Sequence, residues 1–494
     1  MKVLIIGGVA AGTKAAAKLK RMNPAADVTI LTKGKDISYA GCGLPYYVGG
    51  LIPEKEQLIV NTPAKFTELT GAKVLVEREV TSLDASAKQL AAKNLRTGME
   101  ETYSYDECVI ACGASSIVPP LQGVSLPGVF TMRTPDDAIE LRDYVERTGA
   151  KRAVVAGGGF IGLEAAENLA AKGLTVTVID MADQIMPGFD KEMADYAKRH
   201  LEKKGIKVLL NTRLEAVLGD SKAAGVKIPD GELKADVVVM SLGIRPNTAF
   251  LKDTGLEMMP NGTILVDSQM KTNLPNVYAA GDCVCVTNRL TGKRAWSPMG
   301  SSANMEGRTL AEAMCGEDSS YPGVLGTAVV KLPELNGGRT GLSEEAAKQA
   351  GFDVISVVIA TDDKAHYYPG AGMFIIKLIA DKNSRKLLGV QVLGSGAVDK
   401  VTDVGVVALT MGATIDQLQN MDMAYAPPFS TAIHPFVTAI NVLKNKLEGK
   451  MDSMTPAEFM QGKAEGYRIV DAALMPSISG APYVCLLYTS PSPR

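Results

Sequence analysis

Cys42 lies between two glycines in the stretch "AGCGLPYYVGG", early in the chain. No second cysteine follows close behind it, so this thiol has no neighbour in sequence with which to form an internal disulfide. Its oxidised form is then either a mixed disulfide with a substrate thiol or a sulfenic acid. The residues after Cys42 read as the start of a helix, whose N-terminal N–H groups would lower the thiol pKa and favour the thiolate.

A glycine-rich turn precedes this cysteine in "KVLIIGGVAAGTKAAAKLK", between an apolar strand and an alanine-rich helix. Such a turn presents free backbone N–H groups to a pyrophosphate. Gly7 and Gly12 fill the first and third glycine positions of the dinucleotide fingerprint, but Val9 occupies the second. Thr32 stands where an acidic residue is expected at the end of the next strand. The turn therefore predicts a nucleotide site, with a simple packing turn as the alternative.

A second glycine-rich turn is complete in "AVVAGGGFIGLEAAENLAAKGLTVTVID". Gly157, Gly159 and Gly162 form G-x-G-x-x-G between a strand and a helix, and Asp180 closes the following strand. A carboxylate at that place accepts hydrogen bonds from a ribose 2′-hydroxyl and repels a 2′-phosphate. Its neighbours, Met181 and Ala182, carry no positive charge. The pattern favours NADH over NADPH.

Two dinucleotide units in one chain predict two dinucleotides, one held tightly and one exchanging. Two further apolar strands end in small-residue turns, at "CVIACGASS" and at "NVYAAGDCVCV". Asp282 in the second turn is placed to hydrogen-bond a ribityl or ribose hydroxyl beside a pyrophosphate, although an ordinary turn aspartate would look the same.

The composition is that of a globular protein with several domains. The 494 residues include 46% hydrophobic and 21% charged residues, and the net charge is -2. This charge gives no reason to expect nucleic acid or a membrane surface as a partner. The N-terminus lacks the pattern of a signal peptide, and seven scattered cysteines suit a reducing compartment. We therefore expect a cytoplasmic location.

The order of these motifs resembles the FAD-dependent pyridine nucleotide–disulfide oxidoreductases, from residue 1 to about residue 447. The lone cysteine in "SYAGCGLPYY" is similar to the single-cysteine branch, which holds coenzyme A-disulfide reductases, NADH oxidases, NADH peroxidases and persulfide reductases. The resemblance implies an α/β fold with two Rossmann-like dinucleotide-binding domains and an α+β dimerisation domain. The predicted boundaries are residues 1–118 and 240–322 for FAD, 119–239 for NAD(P), and 323–447 for dimerisation.

The resemblance also implies residue roles. Besides Cys42, the catalytic residues would be Tyr367 in "HYYPGA" and Tyr425 in "AYAPPFS", which match tyrosines that reach the other subunit's active site in a homodimer. Arg21 and Ser38 match coenzyme A contacts, although Gly41 replaces the usual asparagine. No metal site is implied. The implied cofactor contacts are Gly7, Gly8, Ala10, Ala11, Gly12, Thr32, Lys33, Gly113, Gly157, Gly159, Phe160, Ile161, Gly162, Asp180, Gly243, Gly281, Asp282 and Ala303.

Ala10 separates the activities of this branch, because oxidase and peroxidase relatives carry a histidine at its position. The predicted function is therefore a flavoprotein that uses NADH, in preference to NADPH, to reduce coenzyme A disulfide or persulfide substrates. An NADH oxidase or peroxidase is the alternative within the family, and a non-catalytic flavin redox sensor is the alternative outside it. His434 in "AIHPF" is either an acid–base group or a packing residue of a loop.

The C-terminal third has its own pattern. Apolar runs predict strands over residues 354–363, 373–381 and 386–394, and spaced apolar residues predict a helix over 401–421. Residues 448–484 are similar to the start of a truncated rhodanese domain, with Thr455 capping a short helix and a strand over 467–471, or else form a linker. Residues 485–494 resemble a non-native tail.

Overall fold

The structure, a computed structural model, describes residues 1–471, 479, 481 and 482. Its first unit is a parallel five-stranded sheet, whose middle strands are buried runs of valine, leucine and isoleucine because both faces are covered. Helices Ala10–Met22 and Gly300–Met314 pack together beside it. In spatial order the strands are Val277–Ala279, Glu107–Ile110, Lys2–Ile6, Asp27–Thr32 and Lys73–Val76.

Smaller elements complete this unit. An antiparallel sheet is inserted in sequence between the strands Lys73–Val76 and Glu107–Ile110, a second small sheet has strands on both sides of the glycine-rich "AAGD" turn, and several short helices complete the unit. The small sheets comprise Arg78–Asp84, Gln89–Asn94 and Glu100–Ser104, and Ile264–Leu265, Val284–Thr287 and Arg294–Ala295. The helices and helical turns are Gly41–Gly43, Leu44–Gly49, Lys55–Leu58, Pro63–Thr70 and Ala249–Leu251.

The second unit repeats the parallel architecture. Its strands lie in the order Lys207–Leu209, Thr175–Ile179, Arg152–Ala156, Val237–Met240 and Val129–Phe130. Its helices are Pro135–Thr148, Phe160–Ala171 and Lys191–Lys203, and a small antiparallel sheet of Ala216–Leu218, Gly225–Ile228 and Gly231–Lys234 covers one end. The pair Ala114–Ser116 and Ile244–Pro246 connects the two units.

The third unit is a five-stranded antiparallel sheet flanked by helices. Its strands lie in the order Ala328–Leu332, Leu335–Gly341, Leu387–Gly394, Met373–Asp381 and Val354–Asp362, and its helices are Glu344–Gln349, Val398–Thr410, Ile415–Leu418 and Pro435–Leu447. The three predicted strands are confirmed. So is the predicted fold class, two dinucleotide-binding units with an α+β unit; the exact domain boundaries stay predictions.

The predicted single helix over 401–421 is wrong. The first helix begins earlier, at Val398, and ends at Thr410. Gly412 then adopts the left-handed conformation, with φ +61°. Thr414 starts a separate short helix, because its hydroxyl accepts a hydrogen bond from the Gln417 N–H at 3.4 Å. Apolar spacing continued through the break and concealed it.

The C-terminal segment agrees with one prediction and contradicts another. Thr455 caps the helix Pro456–Glu458, and its N–H donates to Glu458 Oε2 at 2.8 Å. A π-type turn over Phe459–Lys463 follows. The predicted strand over 467–471 is wrong: residues 467–470 form no strand, and Asp471 forms one isolated bridge. Residues 472–478, 480 and 483–494, including the predicted tail, lie outside the described residues, so the rhodanese-like start stays a prediction.

A buried cation joins the second unit to the third. Lys377, of which 1% is exposed, lies 2.6 Å from Glu192, 2.9 Å from Glu344 and 3.2 Å from Asp190. Although burial opposes ionisation, Lys377 is the main group that lowers the pKa of Glu344 to about 2. The interface is therefore fixed by an ion cluster that a single substitution can leave unbalanced. Within the described ranges, no helix is long and apolar enough to cross a membrane, and no His, Cys, Asp or Glu cluster is arranged to hold a metal.

Candidate active site

Cys42 lies in the helical turn Gly41–Gly43, immediately before the helix Leu44–Gly49, which we call the Cys42 helix. Pro45 suits the first turn of that helix, and Gly50 ends it with φ +89°. The buried face of the helix, formed by Leu44, Tyr47 and Val48, belongs to the same core as the helix Phe160–Ala171. The exposed Cys42 side chain is therefore carried on an element anchored to the second unit.

The expectation of a lowered Cys42 pKa is wrong. Partial desolvation raises the pKa of the thiol, and the carboxylates of Glu164 and Asp282 raise it further, while Arg133 opposes them. The predicted helix does begin beside Cys42, but it is only six residues long, and desolvation together with two carboxylates from distant segments raises the thiol pKa.

Tyr46 and Glu164 form the side-chain hydrogen bond closest in sequence to Cys42. The Tyr46 hydroxyl donates to Glu164 Oε1 at 3.0 Å. Burial raises the pKa of Glu164 to about 7, with Glu167 acting in the same direction and the Tyr46 hydrogen bond opposing. Burial and Glu164 also raise the pKa of Tyr46. Sequence analysis missed Glu164, because nothing in the glycine pattern indicates which side of the following helix faces Cys42.

The first glycine turn has the geometry of a dinucleotide site. Gly7 has φ +109°, and a Cβ on Gly12 would lie 2.0 Å from the Gly7 carbonyl oxygen. Ala10 begins the helix Ala10–Met22, and Ala11 is buried within it. The Gly8 carbonyl accepts the Ser38 N–H at 2.9 Å, which ties the turn to the segment leading to Cys42.

The strand ends beside this turn carry the remaining predicted contacts of the unit. Thr32 ends its strand with 7% of its surface exposed, whereas Lys33 is exposed and pairs with Glu79 at 2.8 Å. Ser38 has a left-handed backbone with φ +49°, and Arg21 is exposed in the last turn of its helix. Thr32 offers a neutral hydroxyl at the place where the second unit has a carboxylate.

The "AAGD" turn is organised by two partners from remote parts of the chain. Gly281, with φ +87°, donates its N–H to Glu306 Oε2 at 2.7 Å. Arg133 Nη2 donates to Asp282 Oδ2 at 2.5 Å, and its Nε donates to the Ala114 carbonyl at 2.9 Å. Asp282 is therefore held in place by a guanidinium, which the sequence did not reveal.

Three other predicted residues line the same region. Ala303 is buried, and its Cβ would lie 3.8 Å from a Cβ on Gly281. Gly113 has φ +65° and Gly243 has φ +98°, so each turn needs a glycine. Together with the first glycine turn, these backbone bends and a held carboxylate fit a tightly bound dinucleotide.

The second glycine turn has open space for a pyrophosphate. Gly157 has φ +116°, and a Cβ on Gly162 would lie 2.0 Å from the Gly157 carbonyl oxygen. A Cβ on Gly159 would meet no atom within 4 Å, so the backbone there is open to a ligand. Within the described chain the buried hydroxyl of Ser241, beside this turn, has no hydrogen-bond partner. Phe160 and Ile161 start the helix, and Ile161 is 41% exposed.

Asp180 follows the strand Thr175–Ile179, as predicted, and both its oxygens accept backbone N–H groups. Gly158 donates to Oδ2 at 2.5 Å and Ala182 to Oδ1 at 2.8 Å. A carboxylate has about four acceptor positions, so each oxygen can still accept a ribose hydroxyl. Asp180 thus stabilises the turn through hydrogen bonds and is also a candidate ribose contact.

A pocket of about 400 Å³ lies beside Asp180, and its lining includes a cation that sequence analysis missed. Arg213 lines it together with Met181, Asn211 and Pro229. The Thr212 N–H donates to the Asp180 carbonyl at 2.8 Å, which brings this later segment to the strand end. A guanidinium, paired with Glu215 at 2.9 Å, therefore reaches the predicted ribose site from a part of the sequence outside the fingerprint.

Tyr367 and Tyr425 lie close to each other on the surface. The two residues are 66% and 48% exposed, and the Tyr367 hydroxyl raises the pKa of Tyr425. They therefore form one exposed hydroxyl pair, available to a neighbouring molecule. His434, in contrast, is buried, and its Nδ1 accepts the Phe436 N–H at 3.2 Å. Burial and Lys400 lower the pKa of His434 to about 4, so this residue acts as a neutral cap of the helix Pro435–Leu447.

Comparison with known proteins identifies the family. Residues 1–306 match the family described as "Pyridine nucleotide-disulphide oxidoreductase", and residues 327–436 match its dimerisation domain. The chain belongs to this family. The predicted cofactors, FAD and NAD(P)H, and the predicted class of enzyme, an oxidoreductase, are confirmed by this membership.

The proteins similar to this chain include several sulfur reductases. The "NAD(P)H coenzyme A polysulfide/persulfide reductase" of Pyrococcus horikoshii is 37% identical over 445 residues, which cover 90% of this chain and 98% of that protein. The coenzyme A disulfide reductase of Staphylococcus haemolyticus is 30% identical, with coverage of 88% and 96%. The solved structure of an NAD-dependent persulfide reductase from A. fulgidus has a TM-score of 0.94 and 38% identity, covering 99% of this chain and 91% of that one.

Proposed function

We propose that this protein uses NAD(P)H to reduce coenzyme A disulfide or a coenzyme A persulfide through FAD and Cys42. The observation that carries the proposal is the placement of Cys42. Of the cysteines in the described residues, Cys42 is exposed, while the others are buried or half-buried. An accessible thiol without a partner cysteine beside it can form a mixed disulfide with an external sulfur compound.

The names of the relatives support a sulfur substrate bound to coenzyme A. The proteins from Pyrococcus horikoshii and Staphylococcus haemolyticus are named for coenzyme A polysulfide, persulfide or disulfide reduction. Arg21 and Ser38 stay our candidates for contacts with coenzyme A. Arg21 offers an exposed cation for a phosphate group.

The chemistry at Cys42 balances as two half-reactions. The Cys42 thiolate attacks R–S–S–R′ or R–S–SH, forms the bond Cys42–S–S–R, and expels R′–S⁻ or HS⁻. When bound, the nicotinamide and flavin supply the two electrons that break the new disulfide. The Cys42 thiolate is then restored, and R–S⁻ leaves as R–SH after taking up a proton.

The proton donors for the leaving sulfur are Tyr367 and Tyr425 of a second subunit in this proposal. The match to a dimerisation domain supports a homodimer, and the exposed tyrosine pair is available to a partner. Exposed Met373, Phe429 and Ile433 from the same unit offer apolar surface for that contact.

We also infer that the enzyme works in a reducing cytoplasm, where its free cysteines stay reduced.

Relatives named NADH oxidase favour the NADH oxidase alternative. A relative from Methanocaldococcus jannaschii, 34% identical over 91% of this chain, is named NADH oxidase. Ala10 opposes this alternative, because it offers no acid–base group in the first glycine turn. A flavin redox sensor would show no turnover with any acceptor.

Anaerobic NADH oxidation by the FAD-loaded protein tests the proposal. Coenzyme A disulfide, coenzyme A persulfide and hydrogen peroxide are compared as acceptors, with Cys42→Ser as the matched variant. We expect turnover with a sulfur acceptor that Cys42→Ser abolishes. Turnover with peroxide alone would assign the enzyme to the peroxidase alternative, and absence of turnover with all three would favour the sensor.

A further inference from the structure

The Cys42 helix and the helix that follows the second glycine turn are in close contact. A Cβ on Gly49 would lie 2.1 Å from Asn168 Oδ1, so the Cys42 helix lies directly on Phe160–Ala171. Tyr46 stands one turn after Cys42 and points its hydroxyl at Glu164. The element that carries the thiol is thereby hydrogen-bonded to a carboxylate of the nicotinamide-binding unit.

The charged groups around Glu164 are few. Tyr46 and Cys42 face it from the Cys42 segment, and Glu167 stands one turn along its own helix. Lys331, from the strand Ala328–Leu332, contributes the facing cation, but its ammonium is paired with Glu167. Glu167 is buried, and its Oε2 has no hydrogen-bond partner among the described residues. Negative charge thus exceeds positive charge at this point of the structure.

Cys42 experiences that excess together with two groups from the first unit. Glu164 and Asp282 both oppose ionisation of the thiol, and Arg133 favours it. Arg133 is already bonded to Asp282, so these two largely compensate each other. Glu164 is therefore the carboxylate near Cys42 whose charge no adjacent guanidinium neutralises.

We propose that Glu164, oriented by Tyr46, is a positioning residue that couples the reduction of Cys42 to uptake of a proton. The proposal rests on the proposed redox role of Cys42. Two electrons break the Cys42–S–S–R bond and leave Cys42–S⁻ and R–S⁻. The new charge on Cys42 increases the affinity of Glu164 for a proton, which comes from solvent and returns there when Cys42 bonds to sulfur again.

The protonation range of Glu164 suits this coupling. Its pKa of about 7 means that a change in one neighbouring charge alters its protonation near neutral pH. The hydrogen bond from Tyr46 stabilises the ionised carboxylate, so it keeps Glu164 ready to accept the proton. A purely structural Tyr46–Glu164 pair would hold the two helices together without changing the titration of Cys42.

The rate of Cys42 alkylation by iodoacetamide, measured between about pH 5 and pH 10 in the reduced, FAD-loaded protein, reports the thiolate fraction. In Glu164→Gln the opposing charge is gone, and we expect alkylation at neutral pH to be faster by about threefold. Tyr46→Phe removes the bond that stabilises ionised Glu164. Its rate should rise less at neutral pH and return to that of wild type in alkali, where Glu164 is ionised in both.

Three further variants complete the test. Glu164→Asp restores the charge and should return the profile toward wild type, exposed Glu232→Gln is the control for loss of a remote carboxylate, and Cys42→Ser gives the background of the other thiols. An unchanged profile in Glu164→Gln that still retains FAD would overturn the proposal. The measurement needs no substrate, so it fails independently of the turnover assay that tests the proposed function.

Discussion

The two glycine turns show one backbone used in two ways. Gly7 and Gly157 have φ of +109° and +116°, and Gly12 and Gly162 each approach the preceding turn so closely that a Cβ would lie 2.0 Å from a carbonyl oxygen. Each turn joins the central strand of a parallel five-stranded sheet to a helix. The close approach of strand and helix is therefore a shared requirement, independent of the ligand.

The difference between the turns lies in the side chains around that backbone. The first has Val9 and Thr32 at the positions where the second has Gly159 and Asp180. The first is instead completed by the "AAGD" turn, in which Arg133 holds Asp282. The two turns therefore share their glycines and differ in the side chains around them, and we expect those side chains to select the dinucleotide.

The largest effect expected is from Gly12→Ala. The added Cβ meets the Gly7 carbonyl at 2.0 Å, a backbone atom that cannot move without opening the turn. We expect purified Gly12→Ala to lose bound FAD, measured by its visible absorbance. Gly162→Ala should instead retain FAD and lose NADH binding, because the same clash occurs in the second unit.

Gly34→Ala is the control for both variants, because its added Cβ would meet no atom closer than 3.6 Å. It should keep both ligands. Loss of FAD in Gly162→Ala to the same extent as in Gly12→Ala would show that the two turns do not bind separate dinucleotides.

Lys377→Met is expected to give the next largest effect. The effect concerns the second and third units only, because the first unit contributes no residue to this ion cluster. The substitution leaves buried Asp190 and half-buried Glu192 and Glu344 without the shared cation, although Glu344 keeps its pair with Lys348. We expect the free energy of unfolding to fall by about 3–5 kcal/mol in urea titrations. Lys382→Met removes an exposed pair with Asp353 and should cost about 1 kcal/mol or less. Equal losses in the two variants would contradict the cluster's importance.

The dependence of stability on pH should differ in sign between the two regions. Glu306 has its pKa raised by burial from 4.5 to about 8, so the folded state holds this proton more tightly and loses stability as pH rises through that window. Glu344 has its pKa lowered from 4.5 to about 2, so its stabilisation is present above 4.5 and is lost as pH falls toward 2. Urea midpoints should therefore show a weaker alkaline decline in Glu306→Gln and a weaker acid decline in Glu344→Gln. Parallel profiles in all three proteins would refute this assignment.

The smallest effect concerns Arg213, which can meet a 2′-phosphate in the pocket beside Asp180. We expect Arg213→Ala to bind 2′,5′-ADP about tenfold more weakly, the loss of one charge-assisted hydrogen bond, and 5′-AMP unchanged. Calorimetry measures both affinities, and exposed Arg199→Ala is the matched control. Equal weakening for both nucleotides would mean that Arg213 does not read the 2′-phosphate.

The sequence predicted those features of the fold that depend on interactions between residues close together in the chain. The glycine turns, the strands of the third unit and the Thr455 cap depend on neighbours in sequence, and all are present. The partnership of Arg133 with Asp282 spans 149 positions, and that of Tyr46 with Glu164 spans 118. No periodicity encodes such contacts, so the held carboxylate and the raised pKa of Cys42 could be found only after the units were placed together.

Peptide mass spectrometry after incubation with coenzyme A disulfide, without NADH, tests the central claim most directly. The claim is that Cys42 is the thiol that bonds to the substrate's sulfur. We predict a coenzyme A adduct on the peptide containing Cys42, which disappears when NADH is added. An adduct on Cys112 or Cys315 with Cys42 unmodified would contradict the account.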